Sequence, residues 1–244
     1  MNYSKYNILT VCNNTYYVFV KILIRSILDK CNTDNINSIM VVDTGLSPEN
    51  KEYLTSISEL IHVIDTDIYT EFNGGIWGID WRTNVQNKTI YLLDAVTKLQ
   101  EPVLMLDSDM MILNDLYGLL QKGGDIQVCI RSNDTIPYIG SYFFSINHEK
   151  SIDFIKEWII KIQNTKHKGQ FESPELVNVI QHYKSDIDIV KLKETCVNVL
   201  DPNFISNESY IAHFKGSSIQ HNVDDLIKTR ITNRGWTKFI ETYV

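Results

Sequence analysis

The sequence predicts an α/β fold: a doubly wound, mostly parallel sheet with a smaller subregion from about residue 125 onward. Three observations carry this. Short apolar, β-branched runs alternate with amphipathic helical segments through residue 110, the pattern of βαβ units with right-handed crossovers. Those runs are apolar on both faces, as strands buried between two helix layers must be. Only 5 prolines and 11 glycines punctuate 244 residues, with no repeat, low-complexity tract or linker. One domain is therefore expected over 1–244, in two halves, 1–115 and 116–244.

The elements follow in order. Tyr6–Val11 (YNILTV) reads as a buried strand, and Asn13-Asn14-Thr15 as a polar break suited to capping. Tyr16–Leu28 then places Val18 and Ile22 on the apolar stripe of a helix. Ile36–Val42 is a second strand, ending at Asp43-Thr44-Gly45. Ser47-Pro48-Glu49 opens a helix reaching Ser58, with Ser as cap, Pro in the first turn and an acid at the positive dipole end. Leu60–Ile64 is a third strand. Residues 66–86 read as a long loop carrying Gly74-Gly75, Trp77 and Trp81, and loops this long in a compact domain are usually functional. Asn87–Leu99 is helical, and Val103–Leu106 is a fourth strand.

The second half is more mixed. Asp125–Arg131 and Gly140–Asn147 read as strands, and Glu149–Gln163 as a helix with Phe154, Trp158 and Ile162 at helical spacing. Glu175–Tyr183 is a short helix. Ile187–Lys191, Val197–Leu200 and Tyr210–Phe214 read as strands, and Asp224–Tyr243 as a helical tail broken at Gly235.

Charge and cysteines bound the partners. The net charge of −7 disfavours a grip on nucleic-acid backbone. Cys12, Cys31, Cys129 and Cys196 are too scattered for a zinc cluster and read as reduced thiols. The longest apolar stretches are interrupted by Lys21, Arg25, Asp107 and Asp109, so no transmembrane segment is expected. No secretory signal pattern is visible, and a cytoplasmic location is expected. The sequence leaves the oligomeric state open.

In a parallel sheet, ligands bind beyond the carboxyl ends of the strands. Asn13, Asn14, Asp43, Asp65, Asp67, Asp107 and Asp109 fall there. The sharpest signal is VLMLDSDMMIL, residues 103–113, where two carboxylates at i and i+2 follow an apolar strand and precede a second apolar run. In extended or turn geometry both can reach one hard cation, Mg²⁺ or Mn²⁺, that keeps open positions for the oxygens of a diphosphate. A plain strand-to-turn junction would also explain Asp and Ser here.

Four blocks in order resemble the GT-A glycosyltransferases, closest to the glycogenin-like, retaining, family-eight type. NILTVCNNTYYVFVKILIRSIL resembles the first strand, nucleotide loop and first helix. MVVDTGLSPENKEYL resembles the second strand and its turn. NKTIYLLDAVTKLQEPVLMLDSDMMIL resembles the helix leading into the Asp-x-Asp strand, and SYIAHFKGSS the His-Phe-x-Gly block. The resemblance implies a GT-A (Rossmann-like) sheet, with residues 1–115 as nucleotide-binding half and 116–244 as acceptor half. It implies Mn²⁺ (or Mg²⁺) held by Asp107, Asp109 and His213. Thr10, Cys12, Asn13, Tyr16, Lys88 and Ser108 would line the donor, a nucleotide diphosphate sugar such as a UDP-hexose, with Lys215 and Gly216 near its β-phosphate. The acceptor would be a hydroxyl of a glycan, protein or lipid. An inverting enzyme needs a carboxylate base on that hydroxyl, for which Glu172 and Glu175 are the acids in place; in a retaining one the departing phosphate can take the proton. Trp77 and Trp81 would offer sugar-stacking faces to the acceptor.

Departures lie on the sugar side. The family's Asn-x-Gly reads Tyr138-Ile139-Gly140, its Asp-Gln pair reads Ser173-Pro174, and no Lys-Pro-Trp follows His213. They keep open an alternative, a nucleotide- or glycan-binding relic of the fold. A dehalogenase-type phosphatase carries its Asp-x-Asp on the first strand, and a sugar-nucleotide pyrophosphorylase opens with a Gly-rich loop; Thr10–Tyr16 has no glycine.

Overall fold

The computed structural model describes residues 3–67, 70, 79–132, 136–165, 172–215, 224 and 227–244, without the side chains of 79–82. The first half alternates as expected: β1 (Tyr6–Cys12), α1 (Tyr17–Lys30), β2 (Ile36–Asp43), α2 (Pro48–Ile57), β3 (Ile61–Asp65), α3 (Ile79–Leu99) and β4 (Val103–Leu106). There follow β5 (Met110–Ile112), α4 (Tyr117–Leu120), β6 (Ile126–Ile130), β7 (Tyr138–Ser145), α5 (His148–Asn164), α6 (Glu172–Tyr183), β8 (Ile189–Lys193), α7 (Glu194–Val197) and β9 (Ile211–His213). The C-terminal segment has a π-helical turn, Lys228–Thr232, and a last short helix, α8 (Thr237–Ile240).

Seven strands form one sheet in the order β3-β2-β1-β4-β7-β6-β8. Only β7 runs against its neighbours. Alternate residues reach opposite faces. Ile8, Val41, Leu104 and Phe144 pack with Leu23 and Ile27 of α1 and Leu54 of α2. Leu9, Met40, Met105 and Phe143 pack with Leu92 of α3, Phe154 and Trp158 of α5, and Leu176 of α6. This two-sided burial is why the strands lack polar alternation. After β3 the chain returns to the other side of β1, so β1 and β4 flank a reversal of strand order, where such sheets open a crevice.

β5 and β9 form a separate antiparallel pair in which Met110 faces His213. A third apolar cluster supports it: Phe19 and Ile22 of α1, Met111, Phe214, Ile231, Trp236 and Ile240.

Three expectations are corrected. The 66–86 loop is shorter, because α3 begins at Ile79: past Gly78 no Gly or Pro interrupts the chain before Leu99. Trp81 therefore stands on a helix. Val197–Leu200 is not a strand. Val197 closes α7, and Val199 makes a single bridge to Ala212, too little for a ladder. Tyr16 ends a 3₁₀ turn, Asn14–Tyr16, capped by Asn13, one residue before α1 begins. In the tail the chain turns at Gly235 as expected, with φ +78°, and the described residues before and after it, Lys228–Thr232 and Thr237–Ile240, are helical. Gly74, Gly75, Trp77 and Gly216 lie outside the described residues, as does the side chain of Trp81. Among the described residues no helix is long and apolar enough to cross a membrane.

Candidate functional site

Two backbone bonds fix the Asp-x-Asp turn. Asp107 N–H donates to Ser141 C=O at 3.1 Å, and Phe214 N–H to Asp109 C=O at 2.8 Å. The turn is thus clamped between β7 and the end of β9. One ligand atom each from Asp107, Asp109 and His213 lies within 4.8 Å of the others. His213 Nε2 is 3.2 Å from Asp109 Oδ1 and 3.9 Å from Asp107 Oδ2. Asp109 and His213 are buried, and Asp107 is half-buried.

The far side of the imidazole is fixed too. Asn198 Oδ1 accepts from Ser141 Oγ at 3.4 Å and lies 2.7 Å from His213 Nδ1. An oxygen there accepts, so Nδ1 carries the proton and Nε2 turns its lone pair toward the two carboxylates. That is how ligating histidines are oriented in metal sites. Two hard carboxylates plus one imidazole at these separations suit a divalent cation, and the nitrogen donor favours Mn²⁺ over the oxygen-seeking Mg²⁺.

Two cations balance the acids. Lys88, 6% exposed, sits with Nζ 2.8 Å from Asp107 Oδ1 and 3.1 Å from Glu172 Oε1. Burial pushes the ammonium toward the neutral form, but Asp107 and Glu172 outweigh it and hold Lys88 charged, above its usual range. Arg230, from the π-helical turn, pairs with Asp109 Oδ2 and donates to Tyr16 Oη at 3.2 Å. Burial works against the Asp109 carboxylate, yet His213 and then Arg230 keep it below the usual carboxylate range. Burial pushes the Tyr16 phenol up to about 12 despite Arg230.

Glu172 reaches Lys88 because Gly140 lies beneath it. A Cβ at Gly140 would collide with Glu172 Cγ and stand 3.3 Å from Trp158 Cζ2. Ser173 Oγ accepts from Gly140 N–H at 3.0 Å, and Glu172 C=O accepts from Trp158 Nε1 at 2.8 Å. These contacts seat the start of α6 on β7.

The remaining candidates divide. Asn13 is buried, caps the 3₁₀ turn and donates to Thr70 C=O at 3.3 Å. Thr10 and Cys12 are buried. Among the described residues the Thr10 hydroxyl makes no hydrogen bond, and burial pushes the Cys12 thiol up. Ser108 is buried within the turn and Lys215 is exposed beyond His213. Glu175 is engaged elsewhere. It accepts from Thr165 Oγ1 at 2.5 Å and Asn178 Nδ2 at 2.9 Å, and among the described residues no contact joins it to the cluster. Asp43 turns to the N–H groups of Gly45 and Leu46 and to Lys51, which also holds Asp65. Sequence reasoning missed Arg230 and Asn198. Arg230 is one of several basic residues in a polar tail, and Asn198 stands in a short apolar run. Neither carries a local signal.

No family model and no curated protein matches the chain. Solved structures do. The galactosyltransferase LgtC in complex with donor and acceptor sugar analogs aligns at TM-score 0.59 and 14% identity, over 91% of this chain and 94% of that one. An active-site mutant of LgtC gives TM-score 0.61 at the same identity and coverage. The bifunctional glycosyltransferase WbbM, in its apo structure, gives TM-score 0.59 at 15% identity, over all of this chain and 53% of that one. Strand order, the clamped Asp-x-Asp turn and these alignments agree: the chain has the GT-A glycosyltransferase fold.

Proposed function

We propose that the chain is a metal-dependent glycosyltransferase of the glycogenin-like kind. It moves a sugar from a nucleotide diphosphate sugar, a UDP-hexose, to a hydroxyl of a glycan, protein or lipid. One observation carries the reading: Asp107, Asp109 and an oriented His213 converge beside the strand-order reversal of the sheet. We assign residues 1–115 to the nucleotide and 116–244 to the acceptor. The four unpaired cysteines suit a reducing, cytoplasmic setting.

Asp107, Asp109 and His213 Nε2 would hold Mn²⁺. Bound there, the ion supplies positive charge against the diphosphate that develops as the sugar C1–O bond breaks. Lys88 fixes the carboxylates of Asp107 and Glu172 in one geometry. Lys215 adds exposed positive charge beyond His213. Tyr16 and Asn13 form the nucleotide wall, with Thr10 and Cys12 behind them and Ser108 in the turn. Glu172 is the acid assigned to the acceptor. Positioned by Lys88, it accepts a hydrogen bond from the acceptor hydroxyl, orienting it for attack. Glu175 supports α6 through Thr165 and Asn178 and keeps no free carboxylate oxygen for that task.

Calorimetry of UDP, GDP and CMP with and without Mn²⁺ tests the reading. We expect Mn²⁺-dependent binding of UDP, abolished together with UDP-sugar turnover by Asp107→Asn. Unchanged turnover in that variant sinks the metal-site assignment. Binding without turnover on any acceptor points to a relic of the fold.

A further inference from the structure

Arg230 has no task in this reaction so far. It is 4% exposed and comes from the segment after residue 227, remote in sequence from every other group of the cluster. One end of its guanidinium meets Asp109 Oδ2, and the other donates to Tyr16 Oη. The guanidinium carbon lies 5.3 Å from the Tyr16 ring centroid and 5.9 Å from that of Phe19. Its Nε is buried and has no hydrogen bond among the described residues. An unsatisfied donor in a fully enclosed guanidinium is costly to leave unmade, and planar guanidinium forks match phosphate oxygens.

Asp109 is also the carboxylate a divalent cation would need. A metal arriving alone would stand beside a buried positive charge that cannot deprotonate. A diphosphate arriving with it removes the conflict, because its oxygens can take the guanidinium while Asp109 turns to the metal. We propose that Arg230 is a second anchor for the donor diphosphate and the resident counter-ion of Asp109, exchanging the carboxylate for phosphate oxygens when metal and nucleotide bind together. The inference rests on the donor-site reading above. It requires strong mutual cooperativity: Mn²⁺ raises UDP affinity and UDP raises Mn²⁺ affinity by the same factor.

The test is Mn²⁺ binding, followed by electron paramagnetic resonance of the free ion, and UDP binding by calorimetry at saturating Mn²⁺. Wild type, Arg230→Gln and Arg230→Lys are compared, with thermal melting as a check of folding. Arg230→Gln should bind Mn²⁺ alone about tenfold more tightly and UDP at saturating Mn²⁺ about tenfold more weakly, lowering the cooperativity about tenfold while UDP affinity without metal stays near wild type. Arg230→Lys keeps the charge at Asp109, so its affinity for Mn²⁺ alone should stay near wild type. It lacks the fork, so UDP should weaken. If Arg230→Gln leaves Mn²⁺ binding unchanged or weaker, or leaves UDP binding unchanged, Arg230 is only structural and the proposal falls. If Arg230→Gln fails to fold, Arg230→Lys decides, and undiminished UDP affinity there overturns it. Wild-type Mn²⁺ binding that Asp107→Asn removes but Arg230→Gln does not alter refutes this inference alone. No Mn²⁺ binding in wild type or Arg230→Gln, with or without UDP, refutes the donor-site reading as well.

Discussion

Among single residues, Asn198 has the most to say about how the cluster is tuned. It is no member of the Asp107, Asp109 and His213 group itself, yet its Oδ1 fixes which imidazole nitrogen of His213 faces Asp107 and Asp109. Removing such an outer partner typically costs 10–100-fold in metal affinity. Asn198→Leu should therefore weaken Mn²⁺ binding by roughly that factor, and Asn198→Asp, which still accepts from Nδ1, should recover most of it. Titration of Mn²⁺ into both variants distinguishes positioning from packing, since a purely structural role would not be rescued by the acid. This residue also marks the limit of what sequence can show. Asp107, Asp109 and His213 were legible because a chemistry-bearing residue type sat at a strand end or in a patterned block. Asn198 and Arg230 acquire their roles only when β9 pairs with β5 and the tail folds back, and neither event leaves a trace in local spacing.

At the level of elements, the contact between β7 and α6 governs Glu172, the acid that shares Lys88 with Asp107. Gly140 leaves room for Glu172, and Ser173 and Trp158 seat the helix start. Gly140→Ala should displace Glu172 from Lys88, lowering turnover at least tenfold while destabilising the fold by ~1–3 kcal/mol through overpacking. Turnover, UDP affinity and melting temperature measured on one preparation check this, with UDP binding expected to persist because Asn13 and Tyr16, the proposed nucleotide wall, are untouched. The strands of the first half were readable because parallel strands covered on both faces become continuous apolar runs. The failures fall where a local pattern met a tertiary constraint. Val197–Leu200 has strand composition but one bridging partner. The start of α3 was hidden because its polar first turns look like loop.

For the molecule as a whole, one carboxylate joins three elements of the second half. Asp125 Oδ1 accepts from Asn147 Nδ2 at 3.0 Å, and Oδ2 from Lys150 Nζ at 2.7 Å and Asp188 N–H at 2.9 Å. It thereby ties β6 to the start of α5 and the entry to β8. Burial pushes its carboxyl up, but the bonds from Lys150, the Asp188 amide and Asn147 outweigh burial and hold it below the usual carboxylate range. A depressed folded pKa means the contribution is present above the unfolded value and is lost as pH falls through the folded one. Asp125→Asn should cost about 1–3 kcal/mol at neutral pH. Urea unfolding from pH 7 downward should show the two proteins converging in acid, and a gap that stays constant would refute this account. The β5–β9 pairing has a consequence for synthesis. A chain emerging from the ribosome can complete all seven strands of the main sheet once residue 193 is out. At that stage it presents Asp107 and Asp109 without His213 or Arg230. The three-residue cluster is then incomplete, and its imidazole and its guanidinium counter-ion join only when β9 and the segment after residue 227 follow.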